Sequence, residues 1–185
     1  MTQLVRHPRR TVAALGTALA AVAVAVGSGA DFTAQSANPA NTFTAGSLTM
    51  DDSRAGAAIF NPENMKPGAP AQTGIVDIEN TGSIDGSFSL SRDRLTSTDT
   101  GDPNPAPFAT KVNLTVTDCG AACGDAGDRE VYRGTLAAMD GATALGRFLP
   151  HERHRYQFAA ALDASAGDEY EGDSSSARFV WDAVQ

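Results

Sequence analysis

Residues 111–117, KVNLTVT, constrain the fold most. Val112, Leu114 and Val116 alternate with Asn113, Thr115 and Thr117. A period of two sends successive side chains to opposite faces of a strand, so one face is buried and the other is wet. The same period runs through residues 155–162, where Tyr156, Phe158, Ala160 and Leu162 form the core face. Residues 84–90 align Ile84, Phe88 and Leu90, and residues 177–184 align Phe179, Trp181 and Ala183. Residues 73–79 set Val76 and Ile78 against Ile75, and residues 130–136 supply a further strand. Pro67-Gly68 and Asn80-Thr81-Gly82-Ser83 are turn signals between these runs. No heptad and no long amphipathic helix interrupts them. The pattern predicts about seven to nine short strands in an all-β antiparallel sandwich.

Other stretches are less regular. Residues 42–50 put Phe43 on one face and Leu48 and Met50 on the other, with Gly46 between them as a candidate bulge. Ala57-Ala58-Ile59-Phe60 is a short apolar run broken by Pro62 and Pro67. Residues 96–107, with Pro103, Pro105 and Pro107, predict a loop. Residues 136–149 fit either a short helical turn around Leu136-Ala137-Ala138-Met139 or a loop, and residues 163–172 a polar link.

The N-terminus has another character. Arg6, His7, Arg9 and Arg10 precede an uncharged run over residues 11–30 rich in Ala and Val, ending in Ser28-Gly29-Ala30. Basic start, apolar centre and small-residue end are the three parts of a secretory signal peptide, with cleavage expected between Ala30 and Asp31. A retained anchor is the rival reading, but Ala, Gly, Thr and Ser dilute the run. Arg9-Arg10 hints at twin-arginine export, although Val12-Ala13 stands where such signals carry bulkier residues. The expected organisation is signal peptide 1–30, extended arm 31–41 and sandwich domain 42–185. The arm holds Phe32 as its one large apolar residue, followed by Thr33, Ala34 and Gln35, with Pro39 near its end.

Three of the 14 basic residues and none of the 22 acidic ones lie in residues 1–30. Residues 31–185 thus hold 11 basic against 22 acidic side chains, a net charge of −11. A phosphate backbone would be repelled, and no basic run remains, which argues against nucleic acid as a partner. The acidity suits solubility outside the cell.

Three ordered motifs resemble the TasA/camelysin family of secreted bacterial proteins. The first is Asn41-Thr42-Phe43-Thr44-Ala45-Gly46-Ser47-Leu48, after Phe32 and the small-residue cleavage site. The second pairs Asn64, Lys66, Pro67 and Gly68 with Glu79-Asn80-Thr81-Gly82-Ser83. The third is the tail from Asp168 to Gln185, through Tyr170, Gly172, Phe179, Trp181 and Ala183. In that tail Asp168 and Glu171 replace the amides of the family pattern. The resemblance implies a jelly-roll sandwich and a subunit of extracellular matrix fibres. The partner would be a further copy of itself, joined by donor-strand exchange once signal peptidase frees the arm. It carries a second implication, a secreted metallopeptidase, and a monomeric surface or adhesion module is the remaining alternative.

No catalytic apparatus supports the enzyme. His151-Glu152-Arg153-His154 is one residue short of the H-E-x-x-H zinc motif and runs into a strand. Residues three apart on a strand point to opposite faces, so this stretch is expected to be a polar, solvent-exposed strand entry without metal. There is no G-x-S-x-G elbow and no small-molecule substrate is evident. Asp51-Asp52, Asp99/Asp102 and Asp125/Asp128 are the pairs that loop calcium would use. None has EF-hand spacing, so solvated loop charge is the expectation and no cofactor is implied. Cys119 and Cys123, an even pair in an exported chain, are expected to form a disulfide that pins one small loop.

Overall fold

The alternating stretches become strands in the computed structural model, which describes residues 44–100 and 106–185. They are β1 (Met50–Asp52), β2 (Gln72–Asn80), β3 (Gly86–Thr98), β4 (Val112–Asp118), β5 (Arg129–Thr135), β6 (Thr143–Phe148), β7 (Arg153–Leu162) and β8 (Ser174–Val184). One sheet has the order β1-β2-β7-β4-β5 and the other β6-β3-β8. Every pairing is antiparallel. This is the all-β sandwich that the alternation predicts.

The core lies between the sheets and uses the expected faces. Val76, Ile78, Leu90, Leu114, Val116, Tyr156 and Phe158 are fully buried. Trp181 of β8 packs 5.0 Å from the Tyr156 ring, and Phe179 packs 4.8 Å from Phe158. These contacts place β8 over β7. Such a side chain contributes roughly 1.5–3 kcal/mol when fully buried, so the interlayer aromatics hold the two sheets together.

Strand directions give the sandwich two distinct ends. β2, β4, β6 and β8 finish at the end marked by Asn80, where β3 and β7 begin. The opposite end carries Gln72, Val112, Leu162 and Ser174. The described chain enters at the Asn80 end. There Thr81 N–H donates to Thr49 O at 2.9 Å, and Ser83 N–H donates to Ser47 O at 2.8 Å.

Three expectations change. Of the stretch 42–50, residues 44–49 are not strand and Met50 is, although Leu48 and Met50 do turn toward the core; Thr42 and Phe43 lie outside the described residues. A Cβ on Gly46 would collide with Ile84, so this glycine serves a close approach. β3 continues to Thr98, three residues into the expected loop. Residues 143–148, read as a helical turn or loop, form β6. Their pattern is obscured by a register shift against β3 and by Gly146 at φ 118°. The extra residue lets Leu145 and Phe148, three apart, both face inward.

Candidate functional site

A sandwich of five strands against three leaves part of one inner face without a strand opposite it. β7 lies under β8, and β2 is the next strand out. Over β2 runs an irregular segment, residues 58–65, which fills the layer beside β8 without pairing to it. Its Phe60 ring stands 6.3 Å from that of Phe158. Gly74, on the same face of β2 as Val76, allows the approach. A Cβ there would lie 2.7 Å from Ile59 O and 2.5 Å from Phe60 Cβ.

Between this segment and β8 lies a cleft of about 800 Å³. Val112, Leu114, Ala160 and Leu162 supply its apolar floor, and Phe179 and Ser176 of β8 one wall. The link after β7 closes its far end with Tyr170, which is buried 6.3 Å from the Phe108 ring. Glu63, Asp168 and Glu171 make the rim acidic.

The link is ordered by Asp163. Its carboxylate accepts from Ser165 N–H at 2.8 Å, from Ser165 Oγ at 2.6 Å and from Asn113 Nδ2 at 3.0 Å. The Ser165 hydroxyl first, then its N–H and the Asn113 amide, hold the carboxyl down to about 2.

Beside the cleft, β8 presents a free edge. Its eleven residues pair with β3 on one side and with no strand among the described residues on the other. The other three edges are guarded. β1 has three residues. β5 carries the Arg133–Glu130 ion pair and is itself bulged at Val131, which has no partner in β4. β6 is bulged and holds Arg147 against Asp85. Short length, charge and bulges each deter strand addition. β8 is long and opens onto an apolar cleft, and its one ion pair, Arg178–Asp93, points back to its own sheet. Chemically, such an edge offers backbone donors and acceptors to an extended chain, with a pocket for alternate side chains.

The Asn80 end is closed. Asn80 is fully buried, and its Nδ2 donates to Ile84 O at 2.9 Å and to Phe148 O at 3.2 Å. Its Oδ1 accepts from Gly82 N–H at 3.0 Å. One side chain thus ties the larger sheet to both β6 and the approach to β3. Beside it, Asp118 accepts from Arg129 at 3.1 Å, and the same guanidinium donates to Leu145 O at 2.8 Å. His154 Nδ1 lies 3.0 Å from both Asp118 oxygens, and Nε2 lies 3.1 Å from Glu152 Oε1. Its ring stacks on Phe148 with centroids 4.2 Å apart. Glu152 accepts from Leu149 N–H at 2.6 Å, which lowers its pKa, with His154 adding a smaller pull in the same direction. Burial pushes the Tyr156 phenol well above its usual range.

His154 departs from the expected exposed strand entry. Its side chain is 22 % exposed and lies between two carboxylates. The signal was present: the alternation Tyr156, Phe158, Ala160, Leu162, extended two residues back, lands on His154. His151 is exposed, at φ 63° in the preceding turn. Among the described residues no group of three or more His, Cys, Asp or Glu is placed to hold a metal ion. Asp128 accepts from Gly124 N–H at 2.8 Å, and Asp52 accepts from Arg54 N–H at 2.8 Å. Asp102 lies outside the described residues. The disulfide forms between Cys119 and Cys123, Cα atoms 4.6 Å apart. Cys119 N–H donates to Arg155 O at 2.7 Å, so the bridge sits where β4 leaves the sheet. Ala30, Asp31, Phe32, Thr33, Ala34 and Gln35, the expected cleavage site and arm, lie outside the described residues. Among the described residues no helix is long and apolar enough to cross a membrane.

Among the described residues, fold and site define a β-sandwich with one open edge beside an apolar cleft. The chain matches no model of a known protein family, and no curated protein matches it.

Proposed function

We propose that this chain is a secreted structural subunit of the TasA/camelysin kind, of jelly-roll type, that assembles head to tail into extracellular fibres. Removal of residues 1–30 by signal peptidase frees the arm, and the arm of one copy adds a strand to β8 of the next. The observation that carries this reading is the unguarded β8 edge beside the cleft. The placement of the two ends supports it. Residue 44 enters the sandwich at the Asn80 end, and the cleft lies at the other. A contact between opposite ends of identical copies does not close on itself, and it propagates as a filament.

Strand direction favours a neighbour over the chain's own sheet. β8 runs from the cleft end toward the Asn80 end. An arm returning along its own β8 would run parallel to it, the slightly weaker pairing. An arm entering the neighbour's cleft with its N-terminus first runs antiparallel. The 13 residues from Asp31 to Phe43 span at most about 45 Å, against about 36 Å for the eleven of β8. Length therefore permits either course, and direction decides. Residues 32–43 carry no charge, so they pass the acidic rim without repulsion. The motif residues Asn80 and Gly82 make the buried tie at one end, and Phe179 and Trp181 lie on β8 itself, which fits the resemblance.

Phe32 is the anchor of the arm. Burying it in the cleft contributes roughly 1.5–3 kcal/mol at every junction. Phe32→Asp is expected to leave the circular dichroism spectrum unchanged and to abolish growth in light scattering. Filaments forming at the parental rate would sink the arm as connecting strand and favour a monomeric surface module.

A further inference from the structure

The segment over β2 has the position of a strand without the bonds of one. It follows the turn after β1 at the Asn80 end and reaches Gln72 at the cleft end, so it runs antiparallel to β8. Among the described residues no backbone–backbone hydrogen bond reaches residues 58–65. Pro62 has no N–H to offer, and Asn64 takes φ 51°. Met65 packs against the core at the end of the segment, and two further attachments hold it. One is a reciprocal pair, with Gln72 Nε2 donating to Glu63 O at 2.8 Å and Glu63 N–H donating to Gln72 Oε1 at 3.3 Å. The other is the seat of Ile59 and Phe60 against Gly74 and Phe158. Ile59 and Phe60 remain only partly buried there.

We propose that residues 58–65 are a displaceable cover, which stands in for a fourth strand beside β8 and must lift from β2 before an arm docks. This rests on the reading of β8 as the acceptor edge. A docked strand lies about 4.8 Å from β8, directly over the β7–β2 shelf, and that is where the Phe60 ring rests. Strand and ring cannot share the shelf. The cover keeps the floor from water in the unassembled chain, and the lack of backbone pairing keeps its removal cheap. Gly74 is then a control point, since a Cβ there would collide with Ile59 and Phe60.

The test uses the full chain carrying Phe32→Asp, whose clefts stay empty on the proposed reading, and a labelled synthetic peptide of residues 31–43. Gly74→Ala and Phe60→Ala are each added. The first pushes the cover off with a methyl group. The second removes its seat without adding atoms to β2, and it keeps the test valid if the first misfolds. Hydrogen exchange at the Glu63 amide, which the Gln72 side chain holds while the cover is seated, reports the cover, and stopped-flow fluorescence reports peptide association. Both substitutions are expected to speed exchange of the cover. Both are expected to raise the association rate about tenfold or more, because an acceptor competent for only a fraction of the time binds less well by that fraction. Faster exchange with unchanged or slower association overturns the cover as a gate while leaving β8 as the acceptor. A peptide that binds none of the forms, even with the cover displaced, overturns the acceptor reading and the cover with it.

Discussion

The two ends of the sandwich solve opposite problems with different chemistry. At the Asn80 end, polar groups bridge the sheets: buried Asn80 reaches Ile84 and Phe148, and the half-exposed Arg129 joins buried Asp118 to Leu145. At the other end the sheets part over an apolar floor, and the walls are a segment without backbone pairing and a link held by Asp163. A buried polar tie is worth most when every partner is in place, since each orphaned group costs its full desolvation. Such a tie makes an end rigid and final. An apolar shelf with loose walls tolerates rearrangement, because dispersion and burial are not directional. Stability is thus concentrated where the chain enters, and adaptability where a partner strand would arrive.

The sharpest way to break this contrast is at Asn80. Asn80→Ala strands two carbonyls and one N–H in the interior. At about 1–3 kcal/mol for each orphaned group, partly relieved by relaxation, the loss should be about 3 kcal/mol or more in denaturant unfolding. A loss below about 1 kcal/mol would mean that this end is as compliant as the cleft, and the contrast would fall.

His154 gives the next effect. A neutral imidazole has one N–H and serves one carboxylate, whereas the cation serves both Asp118 and Glu152. His154→Ala also removes the stack on Phe148 and leaves Asp118 with fewer partners. A loss of about 1–3 kcal/mol is expected, with almost none for His151→Ala on its exposed turn. Equal effects would return both histidines to the surface role that their spacing first indicated.

These two positions show what the sequence carried and what it did not. Strands with an uninterrupted period of two, such as β4 and β7, were legible because every second side chain reports burial. β6 was not, since the irregularity at Leu145–Gly146 moves Phe148 out of phase with Leu145. The Asn80 turn was legible as a turn, yet its tie to Phe148 spans 68 residues and leaves no local pattern. The cleft was hidden for a similar reason. It depends on which sheet has fewer strands and which edge lacks guards, and both are properties of topology. Ile59 and Phe60 announced burial but not the absence of pairing, which Pro62 alone hinted at.

The smallest effect separates the two ends by acid. Asp163 orders the cleft wall from an exposed loop, with its carboxyl held down to about 2. Its folded value lies below the unfolded one of about 3.9. Its contribution is therefore present above that value and is lost as pH falls toward 2. Solvent screens so exposed a group, so the effect on global stability is small. Glu152 is also lowered at the closed end, by the Leu149 N–H first and against an opposing pull from burial. Asp163→Asn should lower stability slightly at pH 7, where the carboxylate's contribution is present, and make the acid limb of unfolding shallower between about pH 4 and 2 by the same small amount. Exchange of residues 163–173 should rise in the variant at neutral pH, since the charged acceptor for Ser165 and Asn113 is gone. Glu152→Gln should leave exchange in that link unchanged and loosen the turn before β7. If Asp163→Asn leaves the acid limb and the link unaltered, the cleft wall is held by packing around Tyr170, and the two ends differ less in chemistry than their hydrogen bonds suggest.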